Sequence, residues 1–288
     1  MKTSPGKKFK ETLQKEIPLQ IVGTINAYQA LQAQAVGFQA LYLSGAGVAN
    51  SSYGLPDLGM TTLDNVLEDA RRITSRVGLP LLVDIDTGWG TSLMIERAVF
   101  ELCRAGVAGV HIEDQVFEKK CGHLPGKKIV PLEEMVERIT AAVAARPDPD
   151  FVIMARTDAF ANEGLEGAIR RAIEYKRAGA DMLFPEALTE LKHYQAIKEA
   201  CSLPQLANIT EFGKTPLFTL EELKEAGIEM ALYPLSANRA MNEAALNAYT
   251  IIRKEGTQTS LIPQMQTRNR LYEILEYDKY EKRLYKNK

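Results

Sequence analysis

Between Glu118 and Lys128 the chain reads EKKCGHLPGKK, a cysteine and a histidine two residues apart among four lysines. Positive charge stabilises a thiolate, so a thiol in such company ionises more readily than usual. Cys121 is therefore expected as a nucleophile or as a proton donor and acceptor, with His123 beside it. Gly122 and the Pro125-Gly126 pair that follows suggest a loop able to close over a ligand. Asp84 and Asp86 form a second constellation. Two residues apart in an extended run, they should share one strand face, and their repulsion is relieved by a hard divalent cation, Mg²⁺ or Mn²⁺. Glu113 and Asp114, in a neighbouring apolar run, would extend that acidic cluster. One histidine and one cysteine nearby do not make a zinc set.

Anion-binding groups accompany these acids. Arg156 ends an apolar run, and its guanidinium fork suits a carboxylate in two parallel hydrogen bonds. Arg239 and Arg268 could do the same, although both lie in helical patterns where a surface salt bridge explains them equally well. Asn208 and Thr210 alternate along one run and so face the same way, either toward an anionic ligand or into structural hydrogen bonds. Glu186 closes another run. Ser44-Gly45-Ala46-Gly47 follows a strand-like run as a dinucleotide fingerprint would, but it lacks the third glycine and an ensuing helix. It reads instead as a backbone nest whose N–H groups receive a carboxylate.

These residues need positioning elements, and the hydropathy pattern supplies them. Eight short apolar runs alternate with stretches of helical period: 21–25, 40–44, 80–86, 108–114, 151–157, 181–186, 204–210 and 229–234. Nearly continuous apolar runs are what buried parallel strands require. The count of eight, without a shift in composition, favours a closed (β/α)₈ barrel over an open doubly wound sheet. In such a barrel the polar groups that end the apolar runs fall at the carboxyl ends of the strands, with the Cys121 loop following closely on the fourth, so they converge on one face. A single domain over 1–288 is expected, with helical extensions at 1–18 and 258–288. A net charge of −2 gives no general attraction for nucleic acid or an anionic membrane. Three scattered cysteines and a polar N-terminus without an apolar leader point to the cytoplasm.

The stretch Lys119-Lys120-Cys121-Gly122-His123 resembles a signature of the isocitrate lyase/phosphoenolpyruvate mutase superfamily, most closely of the branch acting on 2-methylisocitrate. VDIDTGWG (83–90), GVHIEDQ (109–115), MARTDA (154–159), LFPEA (183–187), NITEFG (208–213) and QTRNRLYE (266–273) support it. The resemblance spans about 20 to 280. It implies a Mg²⁺-dependent barrel, a homotetramer that exchanges a C-terminal helix, and cleavage of a tricarboxylate to pyruvate and succinate. Asp84 and Asp86 match the metal positions. Ser44, Gly45, Ala46, Cys121, Gly122, Arg156, Glu186, Asn208, Ile209, Thr210, Arg239 and Arg268 match substrate contacts, with Ala46 where the family usually has glycine. Phe184, Leu232 and Pro234 resemble a pocket for an extra methyl. Tyr42 or Glu113 would take the hydroxyl proton, and Cys121 would protonate the departing carbanion. An isocitrate lyase or an oxaloacetate decarboxylase of the same superfamily is the alternative, and a thiol or metal sensor is the alternative outside it.

Overall fold

The computed structural model describes residues 3–285. All eight expected strands form: β1 (Leu19–Gly23), β2 (Ala40–Leu43), β3 (Leu81–Asp84), β4 (Gly109–Glu113), β5 (Val152–Thr157), β6 (Met182–Pro185), β7 (Leu206–Asn208) and β8 (Met230–Tyr233). Each is shorter than its apolar run or, for β1, begins two residues earlier than expected. All pair in parallel, in the order β6-β5-β4-β3-β2-β1-β8-β7. A bridge from Leu183 to Gln205 joins β6 to the segment leading into β7 and nearly closes the ring. The architecture is the expected (β/α)₈ barrel.

Side chains alternate across each strand, and the alternation divides the core in two. Leu19, Ile21, Ala40, Tyr42, Leu82, Val152, Met154, Met182, Phe184, Leu206, Met230 and Leu232 fill the barrel interior. Val22, Leu41, Leu43, Val83, Val110, Ile112, Ile153, Ala155 and Leu183 point outward and pack under the helices. Removing each large side chain from water contributes roughly 1.5–3 kcal/mol, so the barrel is a packed solid rather than a pore.

Those helices are α2 (Ala27–Ala35), α4 (Leu63–Thr74), α5 (Ser92–Arg104), α6 (Leu132–Ala145), α7 (Phe160–Arg177, broken at Gly164), α8 (Leu191–Cys201) and α9 (Leu220–Glu225). In α4 and α9 a threonine N-cap and the third helical residue exchange hydrogen bonds, as TLEELKEAG leads one to expect for α9. The first helix, α1 (Pro5–Lys15), starts at an N-cap Ser4 whose hydroxyl accepts from Lys7 N. It drives Phe9 into the barrel interior from the amino ends of the strands, with Leu13 packed beside it. After β8, α10 (Ser236–Glu255), α11 (Arg268–Leu275) and α12 (Tyr277–Tyr285) lie largely on the surface; of their described residues only Asn238 is buried. Among the described residues no helix is long and apolar enough to cross a membrane.

Candidate active site

The parity that fills the barrel also aims the site. Continuing the inward positions past the last apolar residue of six of the eight strands gives Ser44 after Tyr42, Asp84 after Leu82, Arg156 after Met154, Glu186 after Phe184, Asn208 after Leu206 and Pro234 after Leu232. These residues line one cavity of about 250 Å³ at the carboxyl ends of the strands, together with Tyr42, Ala46, Cys121, Gly122, His123, Phe184, Thr210 and Arg239. A larger hollow of about 920 Å³ lies at the opposite end, between α1 and the loops entering β2, β3 and β4. It faces away from every converging side chain, on the end where barrels carry stability rather than chemistry.

Asp84 and Asp86 stand together, but not through strand alternation. β3 stops at Asp84, and Asp86 lies beyond it with φ 48°, a turn that swings its carboxylate back toward its neighbour. Asp84 Oδ1 accepts from Asp86 N at 3.0 Å, and its Oδ2 accepts from Gly45 N at 3.1 Å and Tyr42 OH at 3.4 Å. A Cβ at position 45 would lie 3.2 Å from both Asp84 Oδ2 and Asp86 Oδ1, so only glycine leaves this cradle open. Burial pushes Asp86 up to about 6 against the pull of Lys119, and the charge of Asp84 adds to the rise. Asp84 moves the other way: although burial opposes it, His111, Lys119 and Arg156 hold its carboxyl down at about 2. Lys119 supplies the counter-charge, its Nζ 2.6 Å from Asp86 Oδ1 and also paired with Asp57.

This pair fits a Mg²⁺-type ion. It offers two hard carboxylates, one of which, Asp86, already draws a positive charge, the Lys119 ammonium, to its Oδ1, while the other, Asp84, lines a cavity open to waters and ligand oxygens. Among the described residues no group of three or more His, Cys, Asp and Glu side chains could hold an ion alone. Because Asp84 lines the cavity, an ion held there would take its remaining ligands from waters and substrate oxygens.

Arg156 is the hub of the other wall. Its Nη1 lies 3.2 Å from Glu113 Oε2, its Nη2 3.4 Å from Glu186 Oε2, and its Nε donates to Asp158 Oδ2 at 3.0 Å. Burial raises Glu113 well above the ordinary carboxylate range despite Arg156. Glu186 goes below that range, because Arg156 and the His123 ring beside it outweigh its burial. The loop comes down over this wall. Its stem is antiparallel, with Gln115 opposite Ile129, and Gln115 holds the Lys120 backbone through both its amide groups. His123 Nε2 sits 2.9 Å from Glu186 Oε1, and its Nδ1 accepts from Lys214 N at 3.0 Å. Cys121 is exposed at the cavity mouth.

Several expectations need correcting. Two of the four lysines fasten the loop to the barrel, Lys119 reaching Asp57 and Asp86 and Lys127 reaching Asp158, while Lys120 lines the cavity beside Cys121. Asp114 has outward parity and leaves the acidic cluster, accepting from Thr157 Oγ1 and Tyr175 OH. The 44–50 stretch is not an open nest. Ser44 caps a short helical turn, α3 (Gly45–Gly47), which runs on as a π-helical turn over Val48–Ser52. The N–H of Gly45 already receives a carboxylate, that of Asp84. Ile209, odd where Asn208 and Thr210 are even, packs under the helices, and Leu232 lies in the interior below the cavity. Arg239 reaches the rim, paired with Glu211, whereas Arg268 lies exposed on α11 away from this cavity. Glu113 stands behind Arg156 and not on the cavity surface.

Two contributors carried little sequence signal. Asp57 lines the cavity from an irregular stretch with no period to place it. His111, on β4 two residues before Glu113, is fully buried with Nε2 2.9 Å from Tyr42 OH; burial lowers its pKa to about 4, against the opposing charge of Asp84. Its inward parity with Glu113 was the available clue.

The sequence matches the phosphoenolpyruvate phosphomutase family over residues 9–253. It is 62% identical to the 2-methylisocitrate lyase of Escherichia coli (strain K12), covering 98% of this chain and 95% of that protein. Among solved structures it superposes on oxaloacetate acetylhydrolase in complex with the inhibitor 3,3-difluorooxalacetate, with a TM-score of 0.90 and 34% identity over 97% of this chain and 95% of that one. It also superposes on phosphonopyruvate hydrolase in complex with oxalate and Mg²⁺, with a TM-score of 0.85 and 25% identity over 99% of this chain and all of that one.

Proposed function

The chain belongs to the phosphoenolpyruvate phosphomutase family, and from that premise we propose that it is a carbon–carbon lyase cleaving 2-methylisocitrate to pyruvate and succinate. The observation that carries this reading is the convergence, in one cavity, of Asp84 with Asp86 bonded behind it, the Arg156 wall and the Cys121 loop. The near full-length likeness to a lyase of that name supports it.

Asp84 and Asp86 would hold Mg²⁺, with Mn²⁺ as the substitute. Bound there, the ion would polarise the substrate's hydroxyl and adjoining carboxylate oxygens and so ease loss of the hydroxyl proton. Tyr42, whose OH lines the cavity, would relay that proton: burial keeps the phenol protonated, so as its oxygen accepts the substrate's proton it passes its own to His111 Nε2, 2.9 Å away. The C2–C3 bond then breaks: the alkoxide becomes the ketone of pyruvate, and the electron pair passes to the succinate carbon. Arg156, Asn208 and Thr210 hold the carboxylate into which that charge delocalises. Cys121 gives its proton to the carbon and is restored from solvent at the cavity mouth. Phe184 and Pro234 bound the side where the substrate's methyl fits, with Leu232 behind them.

We further propose a homotetramer in which the C-terminal helices are exchanged, since α10 to α12 leave Leu246, Tyr249 and Leu284 exposed. Three free cysteines suit a reducing compartment, the cytoplasm. The substrate test compares 2-methylisocitrate, isocitrate and oxaloacetate under the same conditions. Pyruvate from the first at a rate well above glyoxylate from the second is expected. Preference for isocitrate sinks the methyl pocket, and turnover of oxaloacetate alone sinks the lyase reading.

A further inference from the structure

We propose that Asp158 is a positioning residue that couples closure of the 116–128 loop to the aim of Arg156, an inference that rests on the reading of the site given above. One carboxylate serves both partners. Asp158 Oδ2 takes Nε of Arg156 from β5 at 3.0 Å, and Oδ1 takes the ammonium of Lys127 from the loop while also lying 3.4 Å from Arg156 Nη2, so the two cations compete for that oxygen. The Lys127 and Asp158 side chains are 1% and 0% exposed, so the pair is cut off from water and little screened. The carboxylate stands on a firm footing: Asp158 N donates to Asp114 Oδ1 at 2.8 Å, and Asp114 is itself held by Thr157 and Tyr175.

The loop's tip has little apolar anchorage. Val116 packs against the core at the loop's stem, but beyond it Phe117 and Leu124 remain 58% and 51% exposed, and the side chains buried are Lys119 and Lys127, with Gly122 between them. Its attachment is therefore chiefly ionic, which makes opening a matter of releasing a few charge pairs rather than unpacking a core. When Lys127 leaves, the whole charge of Asp158 bears on Arg156 and draws the guanidinium toward the barrel wall. When Lys127 is seated, that charge is shared, and the Nη atoms of Arg156 stay between Glu113 and Glu186, facing the cavity. Closing the loop thus sets the arginine for its carboxylate.

The test uses the full-length protein with Lys127→Met, Lys127→Arg and Asp158→Asn, reading hydrogen–deuterium exchange of the 116–128 segment alongside kcat and KM. Lys127→Met should speed exchange in that segment about 10-fold and leave the barrel strands unchanged, as local opening predicts. Its kcat should fall about 100-fold, the usual cost of a misplaced catalytic group. Lys127→Arg should restore most of both, and Asp158→Asn should add a raised KM because Arg156 also loses a partner. Wild-type exchange and wild-type kinetics in Lys127→Met overturn the proposal, as does a lowered melting temperature in either variant with kcat, KM and loop exchange unchanged. If the wild type does not cleave 2-methylisocitrate, the reaction reading fails, while the exchange comparison still decides whether Lys127 and Asp158 hold the loop.

Discussion

A side chain at position 122 has nowhere to go: a Cβ there would lie 2.5 Å from Arg156 Nη2 and 2.5 Å from Glu186 Cγ. Gly122→Ala should lift the loop off its wall and cut kcat/KM about 100-fold, with little change in melting temperature because the loop carries little of the core. Steady-state kinetics and a thermal melt, read together, check this. Glu186 makes a separate prediction. Its folded-state pKa lies below the ordinary carboxylate value of ~4.3, so its contribution to stability is fully present above that pH and is lost as pH falls below it. Glu186→Gln should therefore lower stability equally at pH 7 and pH 5, and the gap to wild type should narrow only below about pH 4. Denaturation at stepped pH would show it; a gap that widens on acidification contradicts the assignment. Residues of this kind were readable in sequence when they sat at strand ends, because strand period fixes which side chains point inward. Asp57 and the tie between Lys119 and Asp86 were not, since both depend on where an irregular loop comes to rest.

Among the elements, the strands were the most legible and their connections the least. Tyr42, Leu82, Met154, Phe184 and Leu232 share one parity, and that parity carries on into Ser44, Asp84, Arg156, Glu186 and Pro234. The turn at Asp86 breaks the rule, because a left-handed residue reverses the direction that alternation would give. The helical turn after Ser44 was missed for a similar reason: two glycines and an alanine carry no period. The first helix gives a stability prediction at this scale. Phe9→Ala removes a ring that is 1% exposed and plugs the barrel interior, and it should cost about 3–5 kcal/mol in urea unfolding. Phe117→Ala, on the loop, should cost no more than about 0.5 kcal/mol. Similar costs at both sites would mean that α1 does not seal the barrel.

For the whole molecule, the contrast is between a well-filled barrel and a bare C-terminal helical segment. Met241, Tyr249 and Ile252 recur at helical spacing along one side of α10, and all are exposed. A tetramer would cover such a surface, so Tyr249→Asp should shift the molar mass measured by light scattering toward smaller species while the barrel stays folded. An unchanged mass would locate the interface elsewhere. The lyase reading itself depends on the cation expected between Asp84 and Asp86. The most direct measurement is the initial rate of pyruvate release from 2-methylisocitrate by one preparation, before EDTA, after EDTA, and after excess Mg²⁺ is returned. The rate should vanish in EDTA and recover with Mg²⁺. A rate indifferent to EDTA would contradict the account at its centre.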